Sequence, residues 1–304
     1  YVIGGDEGVL YIRGEYPKSI ESLNASINSL KKDGLLGENI LGTKFSFDLN
    51  ICIGQGAYIC GEETALIASI EGRRAEVEVR PPFPVTEGLY KKPTVVNNVE
   101  TLAAAAGILL NGAEKFAAIG NKKSAGTKLV CFDSFFNNPG VYEIEMGTPM
   151  KKVLNDIGGG FKEPIKALQI GGPLGGVIPI AEAEKLNLDF QEFTAAGFML
   201  GHASIVSIPK DFPMVEYIHH LFEFTAEESC GKCFPGRLGS YRGKEMFDQL
   251  KSKTAKIPLK VLNDLLLTMK NGCLCALCGA IPTPIMNILK YFGDEMKDDM
   301  VNEN

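Results

Sequence analysis

Cysteine is concentrated near the C-terminus, where five of the eight cysteines follow residue 229. Cys230 and Cys233 form one C-x-x-C pair, Cys275 and Cys278 form another, and Cys273 stands two residues before the second pair. A C-x-x-C loop brings two thiolates to one zinc ion or to neighbouring irons of a cluster. The pairs lie further apart than the roughly 15–20 residues usual in a zinc ribbon. The spacing therefore predicts a metal site and leaves zinc and iron–sulfur about equally supported.

A glycine-rich turn that begins at Gly54 leads into two adjacent carboxylates, Glu62 and Glu63. The turn is not a dinucleotide fingerprint, because Ile59 occupies the position of the third glycine, and no Gly-Lys-Ser/Thr follows as in a phosphate loop. On spacing alone, the best explanation is that these two carboxylates lie in the first turn of a helix and complement its dipole. Close backbone approach at the glycines would also suit a bound ligand.

Paired amides at Asn97 and Asn98 precede an alanine-rich helical pattern. Asparagine is a favoured N-cap residue, and capping is the simpler interpretation. Amides also present a donor and an acceptor to the edge of a heterocycle, which spacing alone does not exclude. Phe83, in a Pro-Pro-Phe-Pro loop, is expected to pack against the protein. The three histidines lack an obvious acid–base partner in the sequence, so no catalytic residue is predicted.

The elements around these residues alternate between strand and helix in the first part of the chain. Strand, helix, strand, helix in that order predicts parallel pairing in an α/β layer. Glycine turns and short β-rich runs then predict a small β-containing domain that ends near residue 208, and the remainder is helical. The predicted strands are 9–13, 45–53, 128–132 and 141–145, and the predicted helices begin at Pro17 or span 62–71, 98–111, 150–157, 213–226, 237–251, 257–270 and 284–292.

Composition narrows the class of protein. The chain has 304 residues, 45% hydrophobic and 22% charged, which excludes a disordered chain and allows two or three domains. Its net charge of −6 argues against nucleic acid as a partner. The longest apolar runs fall short of the roughly 20 residues that a membrane-spanning helix needs. Clustered cysteines in a chain of this size favour a reducing cytoplasm. The start at Tyr1 rather than Met is expected for a processed chain or a fragment.

Several stretches together resemble one family, in the same order along nearly the whole chain. They are GQGAYICGEETALIASIEG, PPFP, PTVVNNVETL, NNPGVYE and ESCGKCFPGR followed by CAL. The chain is similar to the NADH-oxidising flavoprotein subunit of respiratory complex I and to its soluble relatives in NAD-linked hydrogenases and formate dehydrogenases. The blocks GEETAL and PTVVNNVETL are far more specific than any single C-x-x-C pair.

The resemblance implies an α/β fold with a small α+β part, in three domains. These are an incomplete Rossmann-like FMN domain with its connecting helix over 1–125, a β-grasp-like, soluble-ligand-binding domain over 126–208, and a helical bundle over 209–304 that holds a [4Fe–4S] cluster. NADH, bound as NAD(H), would pass hydride to FMN, and FMN would pass single electrons to the cluster. Carboxylates beside a flavin can order the nucleotide and tune the flavin potential.

The same resemblance assigns roles to residues of this chain. Tyr58, Gly61, Glu62 and Glu63 would line the flavin and nicotinamide pocket, and Asn97, Asn98 and Thr101 would lie on the far side of the same cavity. Phe83 would stack on the NADH adenine, and Arg80 is the basic residue just before that loop. The cluster ligands would include Cys230, Cys233 and Cys275.

The chain also departs from the family pattern. Gly236 stands where the family has its third cysteine, and Cys278 stands where the family has glycine. Either Cys278 or Cys273 would replace the missing ligand, and Cys278 is favoured because it makes a second C-x-x-C pair. Glu78 places negative charge where the family is basic, which is expected to weaken pyrophosphate binding. The glycine-rich flavin-phosphate loop and the Asn-x-Asp-Glu segment are expected to precede Tyr1.

These sequence features are consistent with three functions. The leading hypothesis is an NADH dehydrogenase type oxidoreductase subunit, working with other subunits of a redox complex that include an iron–sulfur partner. It would be cytoplasmic, or peripheral to a membrane through that complex. The alternative is a relative that no longer binds NADH or FMN and serves as a docking or electron-relay subunit. A zinc-stabilised structural protein is the third.

Overall fold

The chain forms two compact units in a computed structural model that describes residues 1–301. The first unit is Tyr1–Val96, and the second begins at Asn97. Helices and strands occur in both, so the mixed α/β class predicted from the sequence is confirmed. Across the described residues, each helix is too short or too polar to pass through a bilayer. Residues 302–304 lie outside the described part.

The first unit is built on two parallel strands, β1 (Glu7–Arg13) and β2 (Asp48–Gly54), joined through helix α1 (Pro17–Lys32). Proline is favoured in a first helical turn because its missing N–H has no helical partner there. Helix α2 (Glu63–Ile70) follows β2 after a 3₁₀ turn, Tyr58–Gly61. The predicted order of strand and helix and the predicted parallel pairing are both confirmed.

The second unit opens with helices α3 (Val99–Asn111) and α4 (Ala113–Ala117) and continues into a five-stranded sheet. Its strands are β3 (Thr127–Phe132), β4 (Gly140–Glu145), β5 (Ile165–Ile170), β6 (Gly176–Pro179) and β7 (Ser204–Pro209), in the spatial order β4-β3-β7-β5-β6. Within this five-stranded sheet, β3 and β7 pair in parallel and the other neighbouring strands are antiparallel. Between the strands lie α5 (Met150–Lys152), continued by a π-helical turn to Ile157, α6 (Ile180–Ala183) and α7 (Phe190–Ala195).

The core of this sheet follows from its alternating pattern. Along β3, Lys128, Val130 and Phe132 are buried and their neighbours are exposed, as expected when successive side chains point to opposite faces. Phe136 and Phe193 are fully buried in the same hydrophobic cluster. Strands β3 and β4 agree with the predicted runs, whereas β5, β6 and β7 were not separately predicted.

The C-terminal part is helical. Its elements are α8 (Met214–Glu228), a π-helical turn (Pro235–Gly239), α9 (Ser240–Lys251), β8 (Ile257–Pro258), α10 (Leu259–Gly272), α11 (Ala276–Ala280), α12 (Pro282–Phe292) and β9 (Met300–Val301). Helix α9 approaches α8 closely at Gly243, where a Cβ atom would lie only 2.1 Å from the Phe222 ring. The predicted helices agree with α8, α9, α10 and α12, while the short helix α11 was missed.

Candidate functional site

The glycine turn after β2 has two separate structural causes. A Cβ atom at Gly54 would lie 2.5 Å from the Tyr11 hydroxyl, so Tyr11 occupies the space that a side chain would need. Gly56 has φ of +93°, a conformation that side-chain-bearing residues rarely adopt. The close approach predicted at Gly54 is therefore made by the protein's own tyrosine. Gly61 differs, because nothing lies within 4 Å of its Cβ position.

Glu62 is the N-cap of α2. Its Oε2 accepts hydrogen bonds from the backbone N–H of Thr64 (2.9 Å) and of Ala65 (3.0 Å), and from the Thr64 hydroxyl. The Thr64 Oγ1 atom in turn accepts from the backbone N–H of Glu78 at 2.9 Å. Glu62 therefore satisfies the open donors of the helix start, and Thr64 ties this start to the following loop. Sequence reasoning placed Glu62 in the first turn and missed Thr64.

The second carboxylate oxygen of Glu62 is available for a ligand. Glu62 Oε1 is buried and has no hydrogen-bond partner among the described residues. Arg80 reaches towards it, with Nη2 at 3.7 Å, while Arg80 Nη1 donates to Glu63 Oε1 at 2.6 Å. Buried acceptors are usually paired, so an open one at this position fits a donor group supplied by a bound molecule. Three predicted site residues thus come together.

The negative charge of Glu78 is paired. Arg73 Nη1 donates to Glu78 Oε1 at 2.7 Å, and Arg73 Nη2 lies 2.7 Å from Glu71 Oε2. These hydrogen bonds, the one to Glu78 first, raise the pKa of the Arg73 guanidinium. The repulsion expected between Glu78 and a pyrophosphate is therefore reduced, because Arg73 lies beside that carboxylate.

The remaining predicted residues of this site are more open to solvent. Phe83 is 52% exposed, so the packed position expected for its loop was wrong. Tyr58 is half-buried in the 3₁₀ turn before α2. In the second unit, Asn98 caps α3, its Oδ1 accepting from the backbone N–H of Glu100 at 2.9 Å, while Asn97 and Thr101 are exposed.

Five cysteines occupy two segments of the second unit. Cys230 and Cys233 lie between α8 and the π-helical turn, Cys275 is the N-cap of α11, and Cys278 lies within α11. Cys273 ends α10, where its backbone N–H bonds the Met269 carbonyl. All five are free of disulfides. Two segments distant in sequence thus present thiols to one region.

The Cys273 thiol lies beside those of Cys278 and Cys233. Its interaction with the Cys278 thiol, together with burial, raises the pKa of Cys273. The same interaction lowers the pKa of Cys278. Burial raises the pKa of Cys275 to about 11. Thiols held this close would be costly as several separate charges, which a cation would relieve.

The thiol site also depends on Gly236, which stands where the family has a cysteine, and on Ser229, which the sequence analysis did not assign to it. A Cβ atom at Gly236 would lie 3.0 Å from Cys233 Sγ and 3.1 Å from Cys278 Sγ. The Cys278 thiol donates to Ser229 Oγ at 3.8 Å. Ser229 directly precedes the first C-x-x-C pair, and that adjacency was the signal available for it.

Thiolate ligands suit zinc and iron–sulfur clusters, but the two make different demands. Zinc needs its ligands to converge on one ion, and no three Cys, His, Asp or Glu side chains within residues 1–301 do so. A [4Fe–4S] cluster takes four cysteine thiolates, one on each iron, so its ligands surround a larger centre. The five cysteines of these two segments supply thiols enough for the four ligands of such a cluster.

Two family models match the two ends of the chain. Residues 1–107 match the family described as "Nuo51 FMN-binding domain". Residues 216–299 match the family described as "NADH-ubiquinone oxidoreductase-F iron-sulfur binding region", and they contain all five of the cysteines above. Glu62, Glu63 and Arg80 lie within the first matched region, and the five cysteines lie within the second.

Known proteins are similar over nearly the whole chain. The NADP-reducing hydrogenase subunit HndC of Solidesulfovibrio fructosivorans is 40% identical over 298 residues, covering 97% of this chain and 61% of HndC. An NADH-quinone oxidoreductase subunit of Rickettsia bellii is 35% identical, covering 98% of this chain and 72% of that protein. The crystal structure of an NAD⁺-reducing [NiFe]-hydrogenase in the H₂-reduced state aligns with a TM-score of 0.86 at 30% identity, over 99% of this chain and 50% of that chain. The chain thus spans about three fifths of HndC and half of the hydrogenase chain.

Proposed function

The chain belongs to the NADH-ubiquinone oxidoreductase-F family, and from this membership we propose that it carries electrons from NADH through FMN to a [4Fe–4S] cluster. The observation that carries the proposal is that Cys233 and Cys278, from two segments of the matched iron–sulfur region, both bring their sulfurs close to Gly236. FMN would supply the step from hydride to single electrons. The chain would act with other subunits, including an iron–sulfur partner, in the cytoplasm or peripheral to a membrane.

The proposed domain division follows the chemistry. Residues 1–125 would form the FMN- and NADH-binding part with a connecting helix, 126–208 a β-grasp-like domain, and 209–304 the cluster-binding bundle. The five-stranded sheet, whose strands run from Thr127 to Pro209, and the helices that begin at Met214 support these boundaries.

The carboxylate site would bind and orient the nucleotide and the flavin. Glu62 would accept a hydrogen bond at Oε1, and Glu63 with Arg80 would present one negative and one positive group beside it. Phe83 offers an exposed ring face for stacking on the adenine. The open space at Gly61 would admit a ring close to the backbone. The other residues proposed to contact these cofactors are Tyr58, Asn97, Asn98 and Thr101.

The cluster would be held by Cys230, Cys233, Cys275 and Cys278. Cys278 is buried and the other three are partly buried, so the cluster they hold would be shielded from much of the solvent. Solvent exposure is one of the factors that set a cluster's reduction potential. One ground for the docking-module alternative was the negative charge of Glu78 beside the nucleotide, and Arg73 pairs that charge. No observation favours that alternative.

The test is the cofactor content of the full chain, purified anaerobically and reconstituted with iron, sulfide and FMN. We expect about four irons and four sulfides per chain, bound flavin, and bleaching of the flavin on addition of NADH. Glu63→Gln is a matched variant that keeps size and removes charge, and it should raise the NADH concentration needed for bleaching. A protein with bound zinc and no acid-labile sulfide would overturn the proposal, as would bound flavin that NADH leaves oxidised.

A further inference from the structure

The thiol site contains five cysteines, whereas a [4Fe–4S] cluster takes four. We propose that Cys278 supplies the fourth thiolate from helix α11, that the absence of a side chain at Gly236 is what admits it, and that Cys273 is the thiol left over. This inference rests on the proposed function, because it concerns the ligands of the same cluster. On binding, each ligating thiol would release its proton to solvent as its sulfur–iron bond forms.

The space around residue 236 determines whether the Cys278 thiol can occupy its position. Two sulfur atoms, Cys233 Sγ and Cys278 Sγ, lie 3.0 and 3.1 Å from the point where a Cβ atom of residue 236 would stand, and Cys278 Cβ lies 3.4 Å from it. Gly236 itself is buried, so a new side chain there has no solvent to turn into. A side chain at 236 and the thiol at 278 therefore compete for the same volume.

Helix geometry separates Cys278 from Cys273. Cys275 caps α11 and Cys278 follows three residues later, so the two stand on one face of that helix. Cys273 lies outside α11, at the end of α10, and its Cβ atom is 3.5 Å from the Cβ position of Gly279. Cys278 is 3% exposed, whereas Cys273 is only half-buried. The more enclosed sulfur, on the same helix face as another ligand, is the better placed of the two.

The Ser229 hydroxyl lies beside the Cys278 thiol. Ser229 Oγ lies 3.8 Å from Cys278 Sγ and also accepts from the backbone N–H of Gly231 at 3.3 Å. Once Cys278 is a thiolate, the serine hydroxyl can rotate and donate to its sulfur. The Cys273 thiol lies beside those of Cys278 and Cys233 and can donate to these sulfurs in the same way. The fifth cysteine thus has a role as donor to ligands.

The experiment compares four variants of the full chain with the wild type, all reconstituted under the same conditions. Cys278→Ala should lose most of its iron and sulfide, together with the electron paramagnetic resonance signal of the reduced [4Fe–4S] cluster. Cys273→Ala should keep about four irons per chain. Gly236→Cys alone should crowd Cys278 and lower cluster yield several-fold. Gly236→Cys with Cys278→Gly should restore the yield, because the thiol is moved rather than removed.

Circular dichroism and elution volume of the apo variants show whether each has folded. Loss of the cluster in folded Cys273→Ala, with retention in Cys278→Ala, would overturn the inference and leave the proposed function standing. Failure of the double variant to bind more iron than Cys278→Ala would overturn the claim that positions 236 and 278 are interchangeable. A wild type that binds no cluster at all would overturn both the inference and the proposed function.

Discussion

The carboxylate site of the first unit and the thiol site of the second differ in what holds them in shape. Glu62 is fixed by backbone N–H groups of α2, and Glu63 is paired with Arg80. In the thiol site, sulfurs from two segments approach one another, with Cys233 Sγ and Cys278 Sγ lying 3.0 and 3.1 Å from the Cβ position of Gly236. Folding by itself positions the first set of groups, whereas the second set needs a cation to balance its charge when it ionises. The first site is prebuilt, and the second is completed by its metal.

Removal of the metal is the largest test of this difference. Stripping the reconstituted chain with an iron chelator under reducing conditions should lower its melting temperature by about 5–10 °C, because metal binding at thiolates contributes to folding free energy. Removal of FMN alone should change the melting temperature by less than half as much, since the carboxylate site keeps its own hydrogen bonds. Differential scanning calorimetry measures both. Equal shifts on removing metal and flavin would contradict the distinction.

Removal of the helix cap that Glu62 provides tests whether hydrogen bonds within the protein hold the prebuilt site. Glu62→Ala should lower the free energy of unfolding by about 1–2 kcal/mol, because the donors of Thr64 and Ala65 lose their acceptor. Glu62→Gln keeps an acceptor oxygen and should cost about half as much. Urea denaturation of the FMN-free chain provides the measurement. An unchanged unfolding midpoint in Glu62→Ala would mean that the cap is not what holds this site.

The sequence predicted the prebuilt site better than the thiol site because local rules determine it. The parallel strands and the helix after the glycine turn both follow from periodicity within short windows. Thr64 was missed because its bond to the Glu78 backbone joins residues separated by a loop of irregular structure. Phe83 was misplaced for a related reason: composition describes a proline-rich loop but not the direction of its side chains.

The thiol site depends on contacts between residues far apart in the chain. A side chain at position 236 and the Cys278 thiol would occupy the same volume, although α9 and α10 separate the two residues in the chain. No rule of sequence spacing predicts this conflict. The number of cysteines and their spacing could be read from the sequence, and this spacing identified Cys275 and Cys278 as a C-x-x-C pair. It could not rank Cys278 against Cys273 on geometry, because burial and helix face are known only after folding.

The pairing of Glu78 with Arg73, beside the prebuilt site, is expected to have a smaller effect. Arg73→Ala should raise the KM for NADH roughly fivefold, equivalent to about 1 kcal/mol, because the Glu78 carboxylate is then unpaired. Arg73→Ala with Glu78→Gln should recover most of that loss, since the uncompensated charge is gone. Steady-state kinetics at low ionic strength compares them, and the difference should shrink at high salt. A double variant as weak as Arg73→Ala would show that Arg73 acts through something other than Glu78.

Ser229 gives the smallest expected effect and bears on the metal-completed site. Its hydroxyl lies 3.8 Å from Cys278 Sγ, so a hydrogen bond to that sulfur would stabilise the reduced, more negative cluster. Ser229→Ala should leave the iron content unchanged and move the cluster potential negative by roughly 40 mV, the one-electron equivalent of about 1 kcal/mol. Ser229→Thr keeps the hydroxyl and should return the potential towards the wild-type value. A redox titration followed by electron paramagnetic resonance measures the shift. A shift that Thr does not reverse would place the effect in the turn at Gly231, whose N–H also bonds Ser229, rather than at the sulfur.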